Sequence, residues 1–389
     1  MAEHPYDTLS LDALRRRANA KWTHYGPDVL PLWVAEMDFP IADAVRDAIT
    51  TQASDNVGYG LAQGLPGLVE AMQDRFEGRY GLRPDADGVL LLGSTVQGLY
   101  LASMAFAGPG DEALLLTPLY PPFRAAVQNT GRVPVEVPMI DGPDGYAIDF
   151  DALDAAVTPA TRMLMLCNPH NPVGRVFGLG ELERLAELAL VHNLWVISDE
   201  LHADLTMTGT HRPIASLGPE IARRTLTLYG PTKAFNIPGL KISFAFSANV
   251  AMVERIAFHA RGVAPGPNVL GQAAALGAYT GANDWFETTL AYLRANRDHV
   301  ARRVANDLPS VRLHAPEGTY LAWLDFRSVG LGDDPAEVLR NEARVGLNSG
   351  PAFGTGGAGF ARLNFATSRA IVDEGLDRIA ARISSGGAA

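Results

Sequence analysis

Met163-Leu164-Met165-Leu166-Cys167-Asn168-Pro169-His170-Asn171-Pro172-Val173-Gly174 is an apolar run that stops at a polar turn. The part from Met163 to Cys167 is too short for a helix and reads as a strand buried on both faces. Two X-Pro units and a glycine then fix a rigid turn. Downstream, Glu181 to His192 spaces its leucines and alanines for a helix packed on one face, and Leu194 to Ser198 is again a buried strand. Strand, helix and strand with fully apolar strands imply a mostly parallel sheet covered by helices on both sides.

The pattern extends outward through Val89 to Gly93, Ala113 to Thr117 and Thr225 to Tyr229. An α/β fold is predicted, with a large domain over residues 49–283. From about Ala282 the reading changes. A long helix runs from Trp285 towards Asp307, strands follow at Tyr320 to Phe326 and Phe360 to Phe365, and Ile371 to Ile383 is a closing helix. Residues 284–389, joined by an N-terminal arm over 1–48, are predicted to form a smaller α+β domain. The tail Ser384-Ser385-Gly386-Gly387 is predicted to be disordered.

Bulk properties narrow the function. With 389 residues, 47% of them hydrophobic, the chain can bury the core of two domains. A net charge of -11 and the lack of a basic run argue against nucleic-acid binding, although a local positive pocket can still hold a small anion. Met1-Ala2-Glu3-His4-Pro5 shows no signal-peptide pattern, and no apolar stretch reaches the roughly 20 residues of a membrane span. A cytoplasmic protein with no membrane partner is expected. The single cysteine, Cys167, excludes a disulfide within the chain and fits a reducing compartment. It reads as a buried thiol rather than a nucleophile.

In a parallel sheet the ligand site forms at the carboxyl ends of the strands, and the polar motifs fall there. Lys233, in Tyr229-Gly230-Pro231-Thr232-Lys233-Ala234-Phe235, lies just past a buried strand in a chain where lysines are few. Burial and nearby cations would give it the free amine a nucleophile needs; a surface lysine is the competing reading. Asp199 ends the strand at Ser198, either as a helix cap or as the partner of a protonated ring nitrogen. Gly93-Ser94-Thr95-Val96-Gln97-Gly98 joins a strand to a helix, where phosphate is the natural occupant and a plain N-cap the alternative. Tyr120, after Thr117-Pro118-Leu119, could stack on a flat ring or simply pack. Arg369 suits a two-pronged grip on an α-carboxylate. Its rival Arg362 lies inside a strand and reads as a structural pairing.

Taken in order, the glycine-led turn, the aromatic, Asn168-Pro169-His170-Asn171-Pro172-Val173-Gly174, Asp199, Lys233 and a late arginine resemble fold-type I pyridoxal-phosphate enzymes, the aspartate aminotransferase superfamily. The likeness covers nearly the whole chain. Three stretches are similar to one branch, the MalY/PatB group of C–S β-lyases, which cleave cystathionine and related cysteine thioethers. They are Leu30-Pro31-Leu32-Trp33-Val34-Ala35-Glu36-Met37-Asp38-Phe39, Ser198-Asp199-Glu200-Leu201-His202-Ala203-Asp204-Leu205 and Lys233-Ala234-Phe235-Asn236-Ile237-Pro238-Gly239-Leu240.

The resemblance implies pyridoxal 5′-phosphate as cofactor, with Lys233 as Schiff-base lysine and α-proton base. It implies Asp199 at the pyridine nitrogen, Asn171 at the phenolate, and Tyr120 and His202 beside the ring. Thr95, Val96, Gln97, Thr232 and Lys241 would surround the phosphate, and Arg369 and Trp33 would hold an amino-acid substrate. Tyr59, in Gly58-Tyr59-Gly60, would reach the phosphate and substrate of a neighbouring subunit, which implies a homodimer with sites at the interface.

The sequence departs from the usual pattern at several positions: Glu36 for Asp, Thr232 for Ser, Lys241 for Arg, His202 for Tyr, and Thr367-Ser368 for Cys-Pro. The expected reaction is α,β-elimination on an L-cysteine S-conjugate. Competing readings are a class I/II aminotransferase, a specialised secondary-metabolism conjugate lyase or oxidative deaminase, and a regulatory protein that keeps the cofactor for shape.

Overall fold

The computed structural model describes residues 4–386. Met1, Ala2 and Glu3 of the N-terminal reading and Gly387 of the tail lie outside them.

The five expected strands are all present, and two unexpected ones join them. They form one seven-stranded sheet from β1 (Val89–Leu92), β2 (Glu112–Thr117), β3 (Val133–Pro138), β4 (Thr161–Cys167), β5 (Trp195–Asp199), β6 (Thr225–Tyr229) and β7 (Ser243–Phe246). The spatial order is β1-β7-β6-β5-β4-β2-β3. Only β7 runs antiparallel, pairing with β1 and β6. Leu164 and Leu166 face one core cluster while Met163, Met165 and Cys167 face another, so β4 is buried on both sides. Each such side chain contributes about 1.5–3 kcal/mol of burial. The helix Leu179–Val191 returns the chain from β4 to β5 and buries Leu182, Leu185 and Ala189 on the sheet.

The C-terminal part forms a four-stranded antiparallel sheet, with β8 (Arg312–Leu313), β9 (Leu321–Asp325), β10 (Asn348–Ser349) and β11 (Phe360–Asn364) in the order β8-β9-β11-β10. The helices Asn283–Asp307 and Arg369–Gly386 accompany it. The N-terminal arm reaches this unit through Leu30–Pro31, which pairs in parallel with Val345–Gly346.

Two expectations need correction. A boundary between residues 48 and 49 would cut the continuous helix Asp43–Asp55. That helix packs on Val269–Gly281 of the large unit. The approach is so close that a Cβ on Gly277 would lie 2.7 Å from the Ala44 carbonyl oxygen. The arm therefore ends before residue 43. Ser384, Ser385 and Gly386, expected to be disordered, continue the closing helix. No helix among the described residues is long and apolar enough to cross a membrane.

Candidate active site

Strands β1, β2, β4, β5 and β6 all end on one edge of the sheet, and a cavity with about 740 Å³ of empty volume opens there. Gly93, Ser94, Thr95 and Val96 line it after β1, Tyr120 after β2, and Cys167 and Asn171 at and beyond the end of β4. Asp199, Leu201 and His202 enter from β5, and Thr232, Lys233, Pro238 and Lys241 follow β6. Ala35 closes the cavity from the arm.

Lys233 donates from Nζ to the Ala35 carbonyl at 2.6 Å. Burial lowers its pKa to about 8; Arg362 and Lys241 act in the same direction, while Glu36 and Asp199 oppose them. A free amine is therefore accessible near neutral pH. Asp199 accepts the Leu201 N–H at 3.0 Å, and burial raises its carboxyl to about 6 against the hydrogen bonds from Leu201 and Thr95. Such a carboxylate is poised to gain from a cation brought into the cavity. His202 is buried with Nδ1 unpartnered, and burial, with Lys233 and Arg362, lowers it to about 3, so the imidazole is neutral.

Ser94 caps the helix Thr95–Phe106 by accepting the Gln97 N–H at 3.1 Å. The remaining N–H groups of that first turn have no partner within the helix and form an anion seat. Lys241, held at φ 53°, supplies a cation to the same cavity. An acid, a free amine and an anion seat lining one cavity fit a phosphate-bearing pyridine aldehyde.

Several expected residues are placed elsewhere. Gln97 does not line the cavity: its side chain folds back to accept the Gly93 N–H at 2.7 Å, and Ser94 lines the wall instead. The Trp33 indole stacks on His24 at 4.4 Å, and only the Trp33 carbonyl meets the site, through Arg362. Tyr59 is fully exposed and outside the cavity of its own chain.

Arg369 is the main correction. It lies at the start of the closing helix, where its backbone N–H donates to the Tyr292 hydroxyl at 3.0 Å and its guanidinium sits 5.9 Å from that ring. Arg362 instead lies directly behind the cavity wall, bonded to the lining residue Asn171. It is fully buried, donates to Asn171 Oδ1 at 2.9 Å and to the Trp33 carbonyl at 3.2 Å, and keeps Nε unpartnered. The signal lies in strand periodicity: in β11, a charged residue sits at position 362, between buried neighbours, where only a partnered or functional cation is tolerated.

The aminotransferase class I and II family model matches residues 27–379. A cystathionine beta-lyase of Corynebacterium glutamicum is 35% identical over 95% of this chain and 98% of its own length. The cystathionine beta-lyase PatB of Bacillus subtilis is 33% identical over 94% and 97%. Among solved structures, a pyridoxal-phosphate-bound C–S lyase from Staphylococcus hominis superposes with a TM-score of 0.91 at 28% identity, covering 98% of this chain and 99% of that one.

Proposed function

The chain belongs to the aminotransferase class I and II family, and on that premise we propose that it is a pyridoxal 5′-phosphate-dependent C–S β-lyase acting on cystathionine or a related L-cysteine thioether. The observation that carries the reading is one cavity lined by Lys233, Asp199, Asn171 and the capped helix start at Ser94. Bound there, the cofactor supplies a cationic ring that draws electrons from the substrate Cα.

The remaining work falls to this chain's residues. Thr95, Val96, Thr232 and Lys241 would hold the phosphate, Asp199 would pair with the protonated ring nitrogen, Asn171 would bond the phenolate, and Tyr120 and His202 would lie beside the ring. Arg362 takes the substrate carboxylate. Lys233, with its pKa near 8, removes the Cα proton as a general base. The sulfur leaves Cβ with its electron pair, and water completes the change to thiol, pyruvate and ammonia.

Tyr59, flanked by exposed Val57 and Leu61, supports a homodimer in which this loop completes the neighbouring site. The lone buried Cys167 supports a cytoplasmic location.

The test is purified protein with pyridoxal 5′-phosphate and L-cystathionine, assayed for pyruvate and free thiol together. Stoichiometric release of both is expected. Pyridoxamine phosphate formed in place of pyruvate would instead identify the aminotransferase reading that the family description also accommodates.

A further inference from the structure

We propose that Asp204 is a positioning residue for the lyase reaction: its buried carboxylate ties the turn carrying Asp199 and His202 to the loop carrying Lys233. The proposal rests on the functional reading above. Asp204 does not line the cavity, and its side chain is 1% exposed. Four donors from two other elements converge on it. Arg75 Nε and the Tyr229 hydroxyl each donate to Oδ2 at 2.9 Å, while the Tyr80 hydroxyl at 2.5 Å and Arg79 Nε at 3.2 Å meet Oδ1.

The positions of these donors give the arrangement its meaning. Asp204 lies in the turn Ala203–Leu205, directly after His202 and close behind Asp199. Tyr229 is the last residue of β6, immediately before the loop to Lys233. Strands β5 and β6 are neighbours, with Asp199 opposite Leu228. The carboxylate thus bridges the two loops that leave adjacent strands, and each loop bears one end of the proposed cofactor grip. Arg75 adds a second hold, with its guanidinium 4.8 Å from the ring of Phe235, just past Lys233.

Apolar packing could join the same elements without desolvating a carboxylate and two guanidinium groups. What the polar junction adds is direction, because a hydrogen bond fixes an angle as well as a distance. The span between Asp199 and Lys233 has to match a rigid ring. A misplacement of about 1 Å at a reacting group can cost ~100-fold in rate. Asp204 holds that span.

Tyr229→Phe removes one donor and leaves both ion pairs; Asp204→Asn keeps the shape and removes the charge. On protein loaded with pyridoxal 5′-phosphate, four quantities are read: the cofactor dissociation constant, the pH midpoint of the visible absorbance band, kcat and KM for L-cystathionine, and melting temperature. For Tyr229→Phe we expect about tenfold weaker cofactor binding, a displaced pH midpoint and about tenfold lower kcat, with KM within about threefold. Asp204→Asn should show the same changes more strongly; if it does not fold, Tyr229→Phe alone decides. A lowered melting temperature with cofactor affinity, midpoint and kcat all unchanged overturns the proposal and leaves the lyase reading intact. A wild-type protein that takes up no cofactor overturns both.

Discussion

Arg362→Lys separates the arginine the structure places behind the cavity wall from the one that sequence order favours. Arg362 sits on β11 with its guanidinium buried and no carboxylate within ion-pair distance among the described residues. Burial lowers its pKa to about 10, moderated by Tyr120 and Tyr320, which still leaves it charged at neutral pH. Nη1 is spent on Asn171, Nη2 on the Trp33 carbonyl, and Nε is free. A substrate carboxylate arriving here meets a cation whose desolvation is already complete and whose planar fork is fixed from behind.

Lysine keeps the charge and loses the fork, so at least one charge-assisted hydrogen bond disappears. Such a bond contributes about 1.5–3 kcal/mol. At ~1.4 kcal/mol per tenfold, kcat/KM should fall about 10- to 150-fold. The loss should appear mainly in KM, because the carboxylate is gripped alike in the ground and transition states. Arg369→Lys, beside Tyr292 and away from the cavity, should stay within about threefold of wild type. Steady-state pyruvate release across a cystathionine series reads both variants. Equal losses in the two, or Arg362→Lys within threefold of wild type, would refute the assignment.

Three further outcomes follow from the same geometry. Lys233→Ala should abolish pyruvate release and the cofactor's visible imine band; in wild type, borohydride reduction followed by peptide mapping should tag Lys233 alone, leaving Lys21 and Lys241 unmodified. Asp38→Asn strands the fully buried Lys21, which pairs with Asp38 at 2.7 Å, so stability in urea should drop by about 3–5 kcal/mol; an unchanged midpoint would count against that pair. Burial holds His202 near 3 and His170 near 4, against about 6.5 unfolded. Between those values the unfolded chain binds two protons that the native state refuses, so stability falls as pH drops from about 6.5 towards 4. Asp199, raised to about 6 by burial, binds its proton in the native state first and offsets part of that loss. Denaturation of cofactor-free protein at pH 7 and pH 4.5 should show a net loss, and a His170→Asn, His202→Asn double variant with wild-type pH dependence would refute this origin.

Much of the large unit is legible in the sequence because its signals are local. A run such as Met163 to Cys167 states its own burial, and the polar residue that stops it marks the end of the sheet where ligands bind. The two unexpected strands lack that signature. In Val133–Pro138, prolines and a glutamate break the apolar run of an edge strand. Ser243–Phe246 is only four residues long and follows the Lys233 loop without an intervening α-helix. Arg362 reads as a structural residue because it sits in a strand interior; yet a buried strand face is where a desolvated cation is most useful to a ligand. At Gln97 the place in the motif hides the reach of its amide oxygen back to the Gly93 N–H.

The stretch from Trp33 to Phe39 shows where sequence reading stops. It belongs to no helix or strand, so no period describes it, yet side chains from both units grip its carbonyls. Asn364 donates to Val34 and Glu36 at 2.6 and 2.7 Å, Arg362 to Trp33, and the Tyr320 hydroxyl to Ala35 at 3.0 Å, all from the C-terminal unit. From the large unit, Lys233 shares the Ala35 carbonyl, and Asn236 binds Met37 and Phe39 at 3.0 and 2.9 Å. Buried backbone groups must find partners, and a strand or helix would have found them locally. Here they are found some 200 to 330 residues away, so the segment's conformation is specified by residues that no local window contains. Its function is written in the same contacts. The carbonyl that receives Lys233 is anchored from the opposite unit by Tyr320, so the amine proposed to move a proton rests on a support that both halves of the molecule hold in place.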